Sequence, residues 1–358
     1  MRYGYFDDKA REYVISRPDT PLPWINYLGN EGFFSLISNT CGGYAFYRDA
    51  KLRRITRFRY NNVPHDEGGR LFYICDGDTT WSPAFLPAKT VLDSYRCRHG
   101  LGYSIFEGEK QGVHAELTVM VPMGAACELQ KLTLTNISKE EKRLAVYGAV
   151  EFCLWNAVDD STNFQRNWNI GEVEIEGGTV YHKTEYRERR DHYAFYSVNA
   201  PIAGFDTDRD AFLGRFRGWN APAAVEQRAS SGSIAAGWAP VAFLRLAVKL
   251  APGETRTFLF RLGYAENPED RKFTALNVIN KEKAHRMLAS FGTEEQFDAA
   301  MEELRAYWDS LLSRFTVQSS EEKLDRMVNI WNQYQCMVTF NFSRSASFFE
   351  SGRSEAHV

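Results

Sequence analysis

Apolar and polar positions alternate with a period of two along much of the first 260 or so residues. Residues Ala115–Val121 and Leu129–Thr135 show it most clearly. Successive side chains of a strand point to opposite faces, so this period marks strands. The second run ends in a polar turn over 136–142, and an apolar run, Leu144–Leu154, returns from it. Further on, Val241–Leu250 and Thr255–Leu262 flank Ala251-Pro-Gly-Glu254. Pro and Gly stand where a tight turn wants them, which predicts a hairpin. Many short strands without intervening helices predict a large antiparallel β-sandwich and argue against a Rossmann or TIM fold.

The period changes near residue 270. Phe297, Met301, Leu304, Trp308 and Leu311 recur at helical spacing and form one apolar face. Thr293 is positioned to cap that helix, with Gln296 reaching back as in a capping box. A second helix is predicted to open at Ser319 or Ser320, with Leu324, Met327, Trp331, Tyr334 and Met337 or Val338 as its stripe. Two amphipathic helices after a sandwich read as the start of an α domain.

Composition narrows the function. Among 358 residues, 43 basic side chains face 46 acidic ones, so the net charge is −3 and there is no electrostatic footprint for nucleic acid. The densest basic run, Lys51–Arg59, alternates with apolar residues and predicts a strand with one solvated face. No apolar run is long enough to span a membrane, and the first ten residues lack a signal-peptide layout, so a cytoplasmic chain is expected. The six cysteines are dispersed and without zinc spacing; free, mostly buried thiols are expected, and no metal. Walker, dinucleotide-binding and nucleophile-elbow motifs are absent.

Four polar clusters remain. Asn61–Gly69 and Asp76–Pro83 read as structural loops, the second carrying Trp81 in a turn. His182–His192 reads as a solvated face, with an oligomer contact as the second choice. Trp155–Trp168 gathers amides, an arginine and aromatic rings behind an apolar strand. Amide and guanidinium groups donate well to sugar hydroxyls and phosphate, and aromatic rings stack on sugar faces.

Several long segments together resemble the cellobiose phosphorylases of glycoside hydrolase family 94: Leu22–Gly29, Phe58–Pro64, Asp93–Tyr103, Thr162–Asn167, Tyr181–Arg190, Ala200–Asp208 and Leu324–Asn341. The resemblance covers residues 1 to about 352. It implies a mainly β fold: an antiparallel β super-sandwich over 1–270, helical linker over 271–318, and first helix of an (α/α)6 barrel over 319–352. It implies a homodimer in which the sandwich of one subunit helps close the other's cleft. Gln165 and Arg166 are then the residues that meet sugar or phosphate.

The implied reaction is reversible, inverting phosphorolysis of cellobiose to α-glucose 1-phosphate and glucose. A carboxylic acid protonates the departing oxygen while phosphate attacks the opposite face. No organic cofactor or metal is implied. After Gly352 the residues 353–358 depart from the family pattern, and the general acid lies downstream in the family. No catalytic residue is therefore assigned, and Asp159 and Asp160 read as loop caps. A fragment that is inactive alone is expected, against a non-catalytic carbohydrate-binding or dimer-assembly module. The stripe from Leu324 to Tyr334 is expected to lack partners, so trimming near 318 should improve behaviour.

Overall fold

The computed structural model describes residues 2–29, 32–58, 66–161, 170–184, 191–237 and 239–341. The tail over 353–358 lies outside them. The first strands are β1 (Gly4–Asp7), β2 (Glu12–Ile15), β3 (Ile25–Leu28), β4 (Phe33–Ser38), β5 (Gly43–Tyr47), β6 (Arg54–Thr56), β7 (Arg70–Asp76) and β8 (Thr79–Trp81). Next come β9 (Ser94–His99), β10 (Tyr103–Lys110), β11 (Val113–Met120), β12 (Cys127–Asn136) and β13 (Lys142–Trp155). The short helix α1 (Ala157–Ser161) precedes β14 (Gly171–Glu176), β15 (Thr179–Thr184), β16 (His192–Val198) and β17 (Gly204–Asp208). Helices α2 (Arg209–Leu213) and α3 (Ala223–Gln227) lead to β18 (Ala236–Gly237), β19 (Pro240–Leu250) and β20 (Thr255–Glu266). A small ribbon, β21 (Phe273–Ala275) and β22 (Val278–Ile279), is followed by α4 (Glu282–Ser290), α5 (Glu294–Leu312), α6 (Glu322–Arg326), a π turn (Met327–Trp331) and α7 (Asn332–Asn341).

Two large sheets face each other. One runs β1-β2-β9-β10-β11-β12-β20-β16-β15-β14-β18; the other runs β17-β19-β13-β6-β5-β4-β3, with β7 beside β13 and β8 beside β7. Their pairings are antiparallel, as the alternation predicts. On β12, Leu132 and Leu134 point into the central core, and Phe258, Phe260 and Leu262 of β20 join them. From β13 come Leu144, Val146 and Val150. Gly148 lies against the ring of Phe260, where a Cβ would come within 2.4 Å of it.

Glu128 of β12 and Arg70 of β7 meet inside this core. The Arg70 side chain is 2% exposed and that of Glu128 is 0% exposed. Arg70 Nε and Nη2 donate to the two Glu128 carboxylate oxygens at 2.7 and 2.5 Å. Ser35 and Gln130 also donate to the carboxylate. Burial would raise the Glu128 pKa, but the Arg70 charge and these hydrogen bonds outweigh it and hold it below its ordinary value.

The turns at 137–141 and 251–254 are arches, not hairpins. β12 and β13 lie in different sheets, as do β19 and β20. This corrects the hairpin reading of Val241–Leu262. Pro-Gly chemistry marks a chain reversal but does not choose the partner of the returning strand. Asn136 ties the arches together. Its amide donates to the Glu254 carbonyl at 3.0 Å, and its side chain donates to the carbonyls of Glu140 and Leu250.

The outer faces are covered as well. Phe297, Met301, Leu304 and Trp308 of α5 pack on Leu129 and Leu259 of the first sheet and on Leu101 in the β9–β10 turn. Thr293 and Gln296 form the predicted capping box. On the second sheet, Phe212 of α2 and Val225 of α3 cover Tyr73, Tyr147 and Phe243.

Other sequence readings change. Arg54, Ile55 and Thr56 are all buried, so the basic run has no solvated face here. The Arg54 guanidinium stacks 3.7 Å from the Tyr44 ring centroid. Alternation identifies a strand, but a cation with an aromatic partner across the sheet goes inside. Trp81 is fully buried on β8 rather than in a turn. His182, Lys183, Thr184 and His192 are buried, against the solvated-face reading. The second helix is capped by Glu321, not by Ser319 or Ser320, because Asp325 captures the Ser319 amide and hydroxyl.

The expectation of an unpartnered stripe is also overturned. Leu324 is 50% exposed, but Trp331, Tyr334 and Val338 are buried against the sandwich. The Tyr334 hydroxyl accepts from the Gly102 amide at 3.0 Å and lies 2.9 Å from Asn26 Oδ1. These contacts need no further helices.

Two outcomes follow. Trimming after residue 318 uncovers this seam, so it should lower the urea midpoint and increase dye binding to exposed apolar surface; burial of each such side chain is worth about 1.5–3 kcal/mol. Glu128→Ala strands a buried guanidinium and should cost about 3–5 kcal/mol in equilibrium unfolding, more than the paired change of Glu128→Leu with Arg70→Met.

Candidate functional site

The polar segment after β13 is the candidate singled out by sequence, and Gln165 and Arg166 within it lie outside the described residues. Its described stem begins with Trp155, fully buried at a left-handed φ of 66°. A bulky residue enters that region only when its surroundings hold it there. The indole meets the edge of His192 at 4.3 Å between centroids and stacks near His182 at 5.7 Å. Phe152 stacks on His182 from the same strand at 4.8 Å. His182 Nε2 lies 3.2 Å from the Cys153 carbonyl. Thus three segments fix the turn at Trp155.

Asn156 then turns the chain into α1, its side-chain oxygen accepting from the Val158 amide at 3.0 Å. The helix ends in a group of buried charges. Arg57 donates to Asp160 at 2.8 Å and to Glu151 at 2.7 Å. Arg209 reaches Glu151 from α2 at 3.0 Å. Side-chain exposure is 12% for Arg57, 8% for Glu151 and 5% for Asp160. Burial works to lower the Arg57 pKa, but the two carboxylate charges outweigh it and raise it above the ordinary value. Asp160 is therefore a buried ion-pair partner rather than a loop cap.

This group was only partly visible in the sequence. Arg57 lay within the run assigned to solvent. Glu151 had a signal, a lone acid inside the apolar Leu144–Leu154 strand; burial of such a group demands a cation. Arg209 had no signal. Each charge of the cluster faces an opposite charge within it, so the cluster can hold the stem in place. Among the described residues, no group of three or more His, Cys, Asp or Glu could hold a metal ion.

Burial pushes the His182 pKa down to about 4, so the imidazole is neutral in the fold. The unfolded imidazole titrates near its ordinary value of about 6.5. The stabilisation is present above that pH and is lost as pH falls toward 4, because only the unfolded state gains a proton in that window. The urea midpoint should drop between pH 7 and pH 4, and His182→Gln should flatten part of that drop. An unchanged slope in the variant would remove His182 from the account.

Residues 11–293 match the glycosyl hydrolase 94 supersandwich domain, and residues 307–357 match the catalytic domain of the glycosyl hydrolase 94 superfamily. The chain is 34% identical over 98% of its length to an N,N'-diacetylchitobiose phosphorylase of Vibrio proteolyticus, covering 43% of that protein. It is 27% identical over 97% of its length to a 3-O-beta-D-glucopyranosyl-beta-D-glucuronide phosphorylase of Paenibacillus borealis, covering 42% of it. A solabiose phosphorylase of the same organism is 29% identical over 96% of the chain, which covers 43% of that relative. The chain thus spans less than half the length of these relatives. A bacterial glucoamylase complexed with acarbose overlays with a TM-score of 0.49 at 11% identity, covering 94% of this chain and 45% of the other; the likeness is too low to bear on function. The supersandwich match spans most of the chain and coincides with the two-sheet architecture: the chain belongs to glycosyl hydrolase family 94.

Proposed function

We propose that this chain is the N-terminal part of an inverting disaccharide phosphorylase, with its sandwich over 1–270, linker over 271–318 and barrel start over 319–352. The observation that carries the reading is the match of both family domains in their order along one chain. The relatives support the reaction class, since three of them are disaccharide phosphorylases by name. Cellobiose is the disaccharide we propose first, from the segments that resemble that branch; N,N'-diacetylchitobiose is the competing substrate to test beside it.

In this reading Gln165 and Arg166 supply donors to the sugar or phosphate, and a homodimer brings them to the partner subunit's cleft. The support is the stem. Residue 161 leaves a cluster of buried charges and a clamped indole, so the segment that follows starts from a fixed point. A donor must sit within a few tenths of an ångström of its target to favour the transition state. Phosphate as nucleophile needs no general base, and no metal or organic cofactor is assigned a role.

No helix of the described residues is long and apolar enough to cross a membrane. The cysteines are free thiols, five of them buried, which suits the reducing cytoplasm that we propose as its location.

Phosphorolysis of cellobiose and of N,N'-diacetylchitobiose tests the reading. The 358-residue chain alone should release no sugar phosphate, and turnover by it would overturn the assignment of catalysis to a longer α domain. In a chain carrying a complete catalytic domain, Arg166→Ala should lower kcat/KM about 100-fold or more with an unchanged unfolding midpoint. Unchanged kinetics would remove the segment from the site, and a sandwich that only binds carbohydrate or assembles the dimer would then be the better account.

A further inference from the structure

The segment that matches the catalytic domain, from residue 307 on, meets the sandwich through two kinds of contact. One is deep. The Tyr334 hydroxyl of α7 donates to the Tyr27 carbonyl at 2.8 Å and accepts from the Gly102 amide, and Val338 is buried on the same helix. The other is at the surface. Helix α6 buries none of its side chains. Arg326, at its end, reaches the turn of the β1–β2 hairpin, where both Asp8 carboxylate oxygens accept from its guanidinium, the second at 2.6 Å. The guanidinium also lies over the Phe6 ring, 5.0 Å from its centroid, and Phe6 meets Trp331 at 5.5 Å. The Arg326 and Asp8 side chains are 19% and 48% exposed. A groove of about 580 Å³ lies between the hairpin and the helices, lined among others by Tyr13, Trp24 and Met327. The π turn Met327–Trp331 joins the two stretches, with the Asn332 amide donating to the Met327 carbonyl.

We propose that the β1–β2 turn is a releasable clasp: opening of the Asp8–Arg326 contact frees α6 to swing about the π turn, while Tyr334 keeps α7 on the sandwich. An exposed ion pair adds little net stability, because ordering two side chains offsets most of its attraction. It therefore holds α6 without locking it, and α6 brings no apolar burial of its own. Opening at α7 takes Tyr334 and Val338 out of a packed seam and costs far more. A π turn interrupts the regular ladder of a helix and recurs at functional sites. Here it stands where the firmly held and the loosely held stretches meet. The linker follows the motion. Asp325 of α6 accepts from the Ser319 amide and hydroxyl, and Asn329 of the π turn exchanges two hydrogen bonds with the Val317 backbone at 2.7 and 2.8 Å. The turn itself stays in place, since Arg11 pairs with Asp309 of α5. The groove beside Trp24 and Met327 gives the moving stretch room.

The clasp is separate from turnover and is tested on the 358-residue chain by hydrogen–deuterium exchange resolved along the sequence. Amides over 324–331 should be less protected than those over 333–338. Their exchange should also be insensitive to about 1 M urea, because a local opening exposes little surface. Asp8→Ala should speed exchange over 324–331 about three- to fivefold, the factor an exposed ion pair can carry. Raising the salt to about 0.5 M should produce the same change in the unaltered chain and add nothing in Asp8→Ala. Asp8→Lys with Arg326→Glu should restore part of the protection, which a lesion confined to α6 would not. Asp8 is exposed, and circular dichroism checks that each variant folds. Unchanged exchange over 324–331 in Asp8→Ala would overturn the clasp. One common, urea-dependent rate over 324–338 would overturn the hinge, since α6 and α7 would then open as a unit.

Discussion

The ion pair of Arg70 and Glu128 sets the frame on which the sandwich depends. Each partner belongs to a different sheet, and both are out of water. Such a pair is a poor source of net stability, because desolvation of the charges offsets most of their attraction. Its effect is on register. A shift of β12 by one residue would turn Glu128 to the outer face and leave Arg70 in the core without a counter-charge. The same shift would take Leu132 and Leu134 out of the core. Ser35, the Leu36 carbonyl, Gln130 and the Tyr196 hydroxyl extend the network to β4 and β16. One geometric solution therefore satisfies four strands together, β4, β7, β12 and β16.

With that register set, the outer face of β12 and β20 is apolar in part and needs a cover. Leu129 and Leu259 lie there, and α5 supplies it. Arg261, between them, is a cation with no carboxylate partner among the described residues. It donates to the Phe291 carbonyl at 3.2 Å and to the Ser197 hydroxyl at 3.0 Å, and burial pushes its pKa down to about 10. Its acceptor follows the last turn of α4, where the unsatisfied carbonyls of a helix attract positive charge. The junction of α4 and α5 is thus held by a charge on the sheet beneath it. The seam continues into α7 through Tyr334, so a helix within the catalytic-domain match is already part of the sandwich's packing.

These features explain what could be read in advance. Period-two alternation in Ala115–Val121 and Leu129–Thr135 was enough for the strands, because burial on one face is a local pattern. The capping box at Thr293 was legible for the same reason. Sheet partners were not legible, since the turn at Ala251–Glu254 looks alike whether the chain returns to its own sheet or crosses. Buried cations were the other failure. Arg54 and Arg57 look solvated until Tyr44, Glu151 and Asp160, each distant in sequence, are brought beside them. The Trp331 and Tyr334 stripe was expected to lack partners and is buried instead, because its partners at Gly102 and Asn26 are more than 200 residues away and left no local signal.

The candidate site shows why charges, rather than apolar contacts, serve at that point of the fold. Glu151 comes from β13, Asp160 from α1 and Arg209 from α2, while Arg57 follows β6. Apolar packing among four segments would tolerate sliding, because dispersion contacts have little directionality. A guanidinium with its donors divided between two carboxylates permits far less. Trp155 adds a second constraint, since its indole packs against the imidazoles of His182 and His192 and the phenol ring of Tyr264. Between them these contacts fix both the position and the direction of the chain where it leaves α1.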